Sequence, residues 1–229
     1  MPSLLITGVN RGLGLEFITQ YVAVGWTVIG TCRDPEGASE AQALAAASPK
    51  LSLHKLDVSD FDAVSALAET LKNTPIDVLI LNAGMMAERT GLGTFNAKDF
   101  LQVLNVNVVA PAIFIQAFAG HVAASERKII VGMGSTLGSI AGNTTGGMYS
   151  YRSSKAALHA IMRTASVDLK DKGITAIAMH PGWVATDMGG DGADIQSSES
   201  ISGMMSVIDG LSLSDSGRFL TYAGEELPW

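Results

Sequence analysis

The chain has 229 residues, 47% of them hydrophobic and 16% charged, which suits one α/β domain with a sizeable core and excludes a disordered chain. Its 15 Lys and Arg against 22 Asp and Glu give a net charge of −7, so neither nucleic acid nor an anionic membrane is the expected partner, since both call for a basic field. A single cysteine, Cys32, excludes an internal disulfide framework, and His54, His121, His159 and His180 have no metal-like spacing, so no metal is expected.

The N-terminal segment has no positive region and its apolar run stops at Thr7, too short for a signal peptide. The weakly polar stretch Val106 to Ala124 contains Asn107, Pro111, Gln116 and His121, and resembles a buried or interfacial helix more than a span of about 20 apolar residues. A soluble, cytoplasmic protein is expected.

Short apolar runs alternate with amphipathic stretches, as in parallel strands joined by helices. Ser3 to Thr7 is a predicted first strand, followed by a glycine-rich turn and a helix with Phe17, Ile18, Tyr21 and Val22 on one stripe. Thr27 to Cys32, Leu51 to Leu56 and Asp77 to Leu81 are the next strands, separated by helices over Ala38 to Ala47 and from Asp60 onward. A long helix over Ala97 to Ala123 precedes a strand at Lys128 to Gly132 and a Gly-, Ser- and Thr-rich loop over Gly134 to Gly147. A second long helix from Tyr149 to about Lys170, a strand over Ile174 to His180, a flexible stretch from Gly189 and a last strand at Arg218 to Tyr222 complete the chain. The expected fold is a single α/β domain over 1–229, a doubly wound parallel Rossmann-type sheet with helices on both faces.

Between the first strand and helix lies Thr7-Gly8-Val9-Asn10-Arg11-Gly12-Leu13-Gly14. Glycines let the main chain approach a pyrophosphate, and the helix N-terminus offers free N–H groups. The spacing is T-G-x-x-x-G-x-G, without the lysine of a nucleoside triphosphatase loop. The second strand ends at Cys32-Arg33, where an acidic residue would bind ribose hydroxyls; Arg33 and Arg11 instead suit a 2′-phosphate, so NADPH is preferred and NADH not excluded, with Asp34 as a countervailing carboxylate.

Tyr151 and Lys155 stand four apart, on one helix face. A phenol that transfers protons near pH 7 has to be lowered by roughly 3 units from its ordinary value, and a neighbouring ammonium acts in that direction. The pair follows Gly134-Ser135-Thr136-Leu137-Gly138 directly.

With these residues in hand, the chain resembles the short-chain dehydrogenase/reductase family over essentially its whole length. The resemblance is carried by Thr7-Gly8…Gly12-Leu13-Gly14, Asp57-Val58, Leu81-Asn82-Ala83-Gly84, Asn107, Ser135, Tyr151…Lys155 and Pro181-Gly182 in that order. Asn10-Arg11-Gly12-Leu13-Gly14-Leu15, Thr31-Cys32-Arg33, Met148-Tyr149-Ser150-Tyr151-Arg152 and the ending Tyr222 to Trp229 are similar to its sniffer and C-factor-like carbonyl reductases. The resemblance implies that Tyr151 is the general acid, that Lys155 binds the nicotinamide ribose and lowers the Tyr151 pKa, and that Ser135 polarises the substrate oxygen. It further implies that Asn107 anchors a water leading from Lys155, that Asp57 and Val58 flank adenine, and that Asn82, Ala83 and Gly84 line the cofactor. Pro181 to Thr186, with Gly182 and Val184, would close over the carboxamide and pyrophosphate. Ser135 precedes Tyr151 by more residues than is usual in the family, which leaves Ser139 as a competitor; Tyr149 competes with Tyr151 but stands six from Lys155. Ser135 and Tyr151 are favoured.

Ligands of open parallel sheets bind beyond the strands' carboxyl ends. Met85, Met86, Trp183 and Met188 fall there, and no Arg or Lys lies between Pro181 and Asp209, so a small apolar aldehyde, ketone or quinone is the expected substrate, unless these side chains only fill the core. Residues 189–205 are expected to form a mobile lid. A dinucleotide-binding regulatory protein is the competing function; a sugar-nucleotide epimerase is disfavoured by the length. The two long helices, as the family often uses them, imply a homodimer.

Overall fold

A computed structural model describes residues 1–87, 92–190 and 192–229. Among the described residues, seven strands and seven α-helices follow in the order β1 (Ser3–Thr7), α1 (Gly12–Ala23), β2 (Thr27–Cys32), α2 (Ser39–Ala47), β3 (Leu51–Lys55), α3 (Phe61–Thr70), β4 (Val78–Leu81), α4 (Ala97–Leu104), α5 (Ala110–Ala123), β5 (Ile129–Met133), α6 (Tyr149–Asp168), β6 (Thr175–His180), α7 (Ser197–Gly210) and β7 (Phe219–Thr221). All strand pairs are parallel, in the order β3-β2-β1-β4-β5-β6-β7. Every residue of β1 and β4 is buried, which is why β4 reads as an unbroken apolar run and β1 as one flanked by Ser3 and Thr7.

Alternation along the strands divides the interior into two cores. Leu4 and Ile6 of β1 face Phe17, Ile18 and Tyr21 of α1 and Ile201, Met204 and Ile208 of α7. Leu5 faces the opposite core, where Val64 of α3, Phe114 and Phe118 of α5, and Leu158 and Met162 of α6 are buried. At the sheet's amino-terminal edge, Asp77 ties strands together: one carboxylate oxygen accepts from the Ser3 N–H at 2.8 Å, and the other from the Arg127 N–H at 3.2 Å.

Two expectations change. The predicted long helix over 97–123 is continuous in direction but contains a π-helical turn at Asn105–Val109 between α4 and α5. By length and composition alone it could cross a membrane, yet Phe114, Phe118 and Val122 are buried against the sheet of the same chain. The predicted lid over 189–205 is half helix. Its residues from Ser197 onward belong to α7, where Ile201 and Met204, one turn apart, are fully buried. Polar residues between these anchors disguised a core helix as a flexible segment. Upstream of α7, Val184 pairs with Ile195 in an isolated bridge, and Asp191 lies outside the described residues.

The chain moves from β1 outward to β3 and then returns to the other side of β1 with β4. That reversal opens a crevice at the carboxyl ends of β1 and β4. Thr7 and Asn82 hold it: the Thr7 hydroxyl accepts from the N–H groups of Asn82 and Ala83 at 3.1 and 2.9 Å, while Asn82 Nδ2 donates to the carbonyls of Thr7 and Gly8 at 2.8 and 3.1 Å.

Candidate active site

A cavity of about 340 Å³ occupies that crevice. Following the strand order, it extends from Arg33 and Asp57, past the glycine loop and Asn82 to Gly84, to Tyr151 and Lys155.

At the loop end the main chain forms the wall. Gly8 and Gly12 have φ of 76° and 56°, a region L-side chains rarely enter. A Cβ at Gly14 would collide with the Gly8 carbonyl oxygen and lie 2.8 Å from Asn82 Nδ2. The first turn of α1 therefore sits directly on the loop. Its N-cap, Arg11, supplies no side-chain hydrogen bond, so the N–H groups of this turn face the cavity without a side-chain cap. This cradle fits the pyrophosphate of a dinucleotide: free amide donors, positive helix end and no Cβ in the way.

Around it, Arg33 and Arg11 both line the cavity, but their surroundings differ. Arg33 bears electrostatically on Asp57, whose carboxyl is held below its usual range chiefly by hydrogen bonds from the Ser59 hydroxyl and N–H at 2.6 and 2.9 Å. Arg11 forms an exposed ion pair with Asp187 across the mouth. Asp34 turns away: its carboxylate accepts from the Gly37 N–H at 3.2 Å.

The other end is built from buried side chains on α6. Lys155 Nζ donates to the Met133 carbonyl at 2.6 Å and lies 5.6 Å from the Tyr151 ring centroid. Burial pulls Lys155 down to about 8. Burial pushes the Tyr151 phenol above its ordinary value, with the Ser135 hydroxyl acting in the opposite direction. Burial, not Lys155, is the main influence on Tyr151, the ammonium being turned to the Met133 carbonyl. Ser135 is buried, and its Oγ accepts from the Leu137 N–H at 3.2 Å, capping the short turn Thr136–Gly138. An oxygen that accepts there still carries its own proton, which bears on the Tyr151 phenol.

Asn107 is fully buried in the π-helical turn, with its side chain spread over two elements. Oδ1 accepts from the Met85 N–H at 2.8 Å; Nδ2 donates to the Met85 carbonyl at 2.8 Å and to Ser154 Oγ at 3.0 Å. Both amide protons are thus taken by protein groups, and the side chain orders the chain after β4.

The two competitors separate clearly. Ser139 Oγ donates to the Trp229 carbonyl oxygen at 3.0 Å and accepts from the Gly142 N–H at 3.1 Å. Tyr149 is 41% exposed, with its ring 5.3 Å from that of Phe95, whereas Tyr151 lines the cavity.

Gly8, Asn10, Arg11, Gly12, Leu13, Gly14, Arg33, Asp57, Val58, Asn82, Ala83, Gly84, Met85, Pro181, Thr186 and Met188 also line the cavity. Among the described residues, its wall does not include Ser135, Asn107, Met86, Gly182, Trp183 or Val184. Gly182 and Val184 instead pack on Ile195, where Gly182, at φ 87°, leaves no room for a Cβ. The Trp183 indole donates to the Gly189 carbonyl at 2.9 Å. Cys32, Ser59, Gln102, Val106 and Met133 line the wall unforeseen. Ser59 had a visible signal in the Asp57-x-Ser59 turn spacing, while Gln102 and Val106 enter only through the packing of α4 and the π-helical turn that follows it.

Comparison with known proteins agrees with this architecture. The short chain dehydrogenase family model matches residues 3–195. The C-signal protein of Myxococcus xanthus is 40% identical over 164 residues, covering 72% of this chain and 99% of that protein. The carbonyl reductase Sniffer of D. melanogaster superposes with a TM-score of 0.95 at 34% identity, covering all of both chains. An NADPH-bound carbonyl reductase from chicken fatty liver superposes with a TM-score of 0.94 at 37% identity, covering 100% of this chain and 99% of that one. With a family match over most of its length and a cleft of this construction, the chain belongs to the short-chain dehydrogenase/reductase family.

Proposed function

We propose that the chain is an NADPH-dependent carbonyl reductase acting on a small apolar aldehyde, ketone or quinone, with Tyr151 as proton donor. The observation that carries this is the meeting of Tyr151 and Lys155 in one cavity with the glycine cradle and Arg33. The dihydronicotinamide, when bound, supplies hydride to the carbonyl carbon. The protein's part is the proton and the polarisation. Tyr151, kept neutral by burial, gives its phenolic proton to the carbonyl oxygen; the Ser135 hydroxyl donates a hydrogen bond to the same oxygen. Lys155, buried but still mostly protonated at pH 7 with a value of about 8, favours the phenolate left after transfer. Asn107 acts on this site by fixing the Met85 main chain and Ser154.

Preference for NADPH is supported by the guanidinium of Arg33 at the end of β2 and by the engagement of Asp34 with Gly37, away from a ribose. An apolar substrate is supported by Met85, Val106, Met133 and Met188 in the wall. A panel of aldehydes, ketones and quinones assayed by loss of NADPH absorbance tests the whole proposal. Turnover of several uncharged members is expected; binding of NADPH without turnover of any would favour the second reading, a dinucleotide-binding regulatory protein. That reading is kept because of the similarity to the C-signal protein. A homodimer through α4, α5 and α6 is part of the same proposal, supported by the exposed apolar side chains Leu101, Val109 and Val167 on those helices and the turn between them. Sedimentation equilibrium at micromolar protein should give twice the chain mass; a monomer removes the dimer.

A further inference from the structure

One turn beyond Lys155 on α6 stands His159, 3% exposed and unaccounted for by the proton donor, the cofactor cradle or the core. Its Nε2 lies 3.3 Å from the Ser135 main-chain nitrogen. A main-chain N–H can only donate, so Nε2 is the acceptor and the proton of the neutral ring sits on Nδ1. Nδ1 is buried and, among the described residues, has no hydrogen-bond partner. An apolar side chain of similar size would fill the same space, so the bond to Ser135 is what the imidazole adds.

The surroundings hold the ring from three sides. The loop after β5 closes on it so tightly that a Cβ at Gly134 would lie 2.7 Å from Nε2, and one at Gly138 2.7 Å from Cε1. The Phe219 ring stands 4.2 Å from it and the Trp229 ring 5.7 Å, the two stacked on each other at 5.5 Å. Trp229 in turn reaches the same loop, its carbonyl oxygen accepting from Ser139 Oγ at 3.0 Å. Burial, with the charge of Lys155 and then His180 adding to it, keeps His159 neutral down to about 4, so the acceptor persists through any working pH.

We propose that His159 is a positioning residue for Ser135: its Nε2 fixes the Ser135 N–H and thereby the direction in which the Ser135 hydroxyl meets a bound carbonyl. The proposal rests on the carbonyl-reductase reading for its kinetic consequence, but the bond itself can be examined without turnover. His159→Leu removes the acceptor and keeps bulk. With NADPH and 4-nitrobenzaldehyde as the probe, kcat should fall about 10- to 100-fold, as for a catalytic group misplaced by a fraction of its bond length. KM for NADPH should change less than about 2-fold, because the glycine cradle is untouched. His159→Gln, whose amide oxygen reaches the position of Nε2, should recover most of kcat. In the wild-type chain, ¹⁵N-histidine NMR should find a neutral ring protonated at Nδ1 with Nε2 bare, the signal being assigned by its loss in His159→Gln.

Wild-type kcat in His159→Leu, or a Gln variant as impaired as the Leu variant, would overturn the proposal. A ring protonated at Nε2 would overturn it even if the Leu variant fails to fold. A wild-type chain that reduces no carbonyl yet has the Nδ1–H ring defeats the reductase reading alone.

Discussion

At the glycine-loop end of the cleft, Gly8, Gly12 and Gly14 present main chain, and the charged groups, Arg11 and Arg33, are exposed to solvent. At the α6 end the reverse holds: Lys155, His159, Asn107 and Ser135 are all buried, and the ionisable ones among them are shifted by burial first. One end offers shape and amide dipoles beside exposed charges; the other keeps its titratable groups buried. The difference teaches where substitutions should be costly. In solvent a charge is screened and replaceable, whereas a buried polar group depends on each of its partners.

The largest effect belongs to the buried end. Tyr151→Phe removes the proposed proton donor and keeps the ring, so kcat should fall by about 10³-fold, within the range of positioned general acids. NADPH dissociation, followed by fluorescence, should stay within about 2-fold, because the cradle is main chain. Loss of NADPH binding on the same scale as activity would show that the two ends are not separable.

Next comes pH. His159 and His180 are both held down to about 4 from 6.5, burial being the main cause, with Lys155 acting on each. The folded chain therefore binds fewer protons than the unfolded one between these values. The stabilisation is complete above pH 6.5 and is lost as pH falls toward 4, by on the order of 2–3 kcal/mol for each ring. Urea unfolding at pH 7 and pH 4.5 measures it, and His159→Gln should flatten part of the slope. An unchanged midpoint across that interval would mean the rings are solvated.

The same contrast governs what the amino-acid sequence made legible. Glycines forced by geometry are written locally: Gly8 and Gly14 are unreplaceable where they stand, so the loop and its cradle follow from spacing and position. The pair Tyr151 and Lys155 is equally local, being one helical turn apart. What lay hidden depends on partners distant in the chain. Ser135 and His159 are 24 residues apart, and nothing in their separate contexts announces the bond. Asn107 was legible as a residue but not in its contacts, because the Met85 main chain and Ser154 come from other elements. The helical part of the 189–205 segment was hidden because its inward stripe is thin, Ile201, Met204 and Ile208 standing among serines and glycine.

At the solvent-facing end the effects become smaller and selective. Arg33→Ala should weaken NADPH by about 10- to 100-fold, the scale of a charge-assisted contact of about 1.5–3 kcal/mol, and leave NADH within about 2-fold. Titration calorimetry with both cofactors reads the difference. Equal losses for the two would move Arg33 from phosphate recognition to a structural part in holding Asp57.

The smallest effect tests the mouth of the cleft. Arg11 and Asp187 pair across it with side-chain exposures of 64% and 78%, so the pair is strongly screened. Asp187→Asn should change folding stability by less than about 0.5 kcal/mol. It should also release the Arg11 guanidinium, which lines the cavity and otherwise divides its time between a carboxylate and any phosphate that enters. NADPH affinity is therefore expected to rise, by up to about 3-fold at low salt, and the gain to disappear as ionic strength grows. A gain that survives high salt, or a loss of affinity, would mean that Asp187 organises the loop after β6 rather than competing for Arg11, and the exposed end would then share the partner-dependence of the buried one.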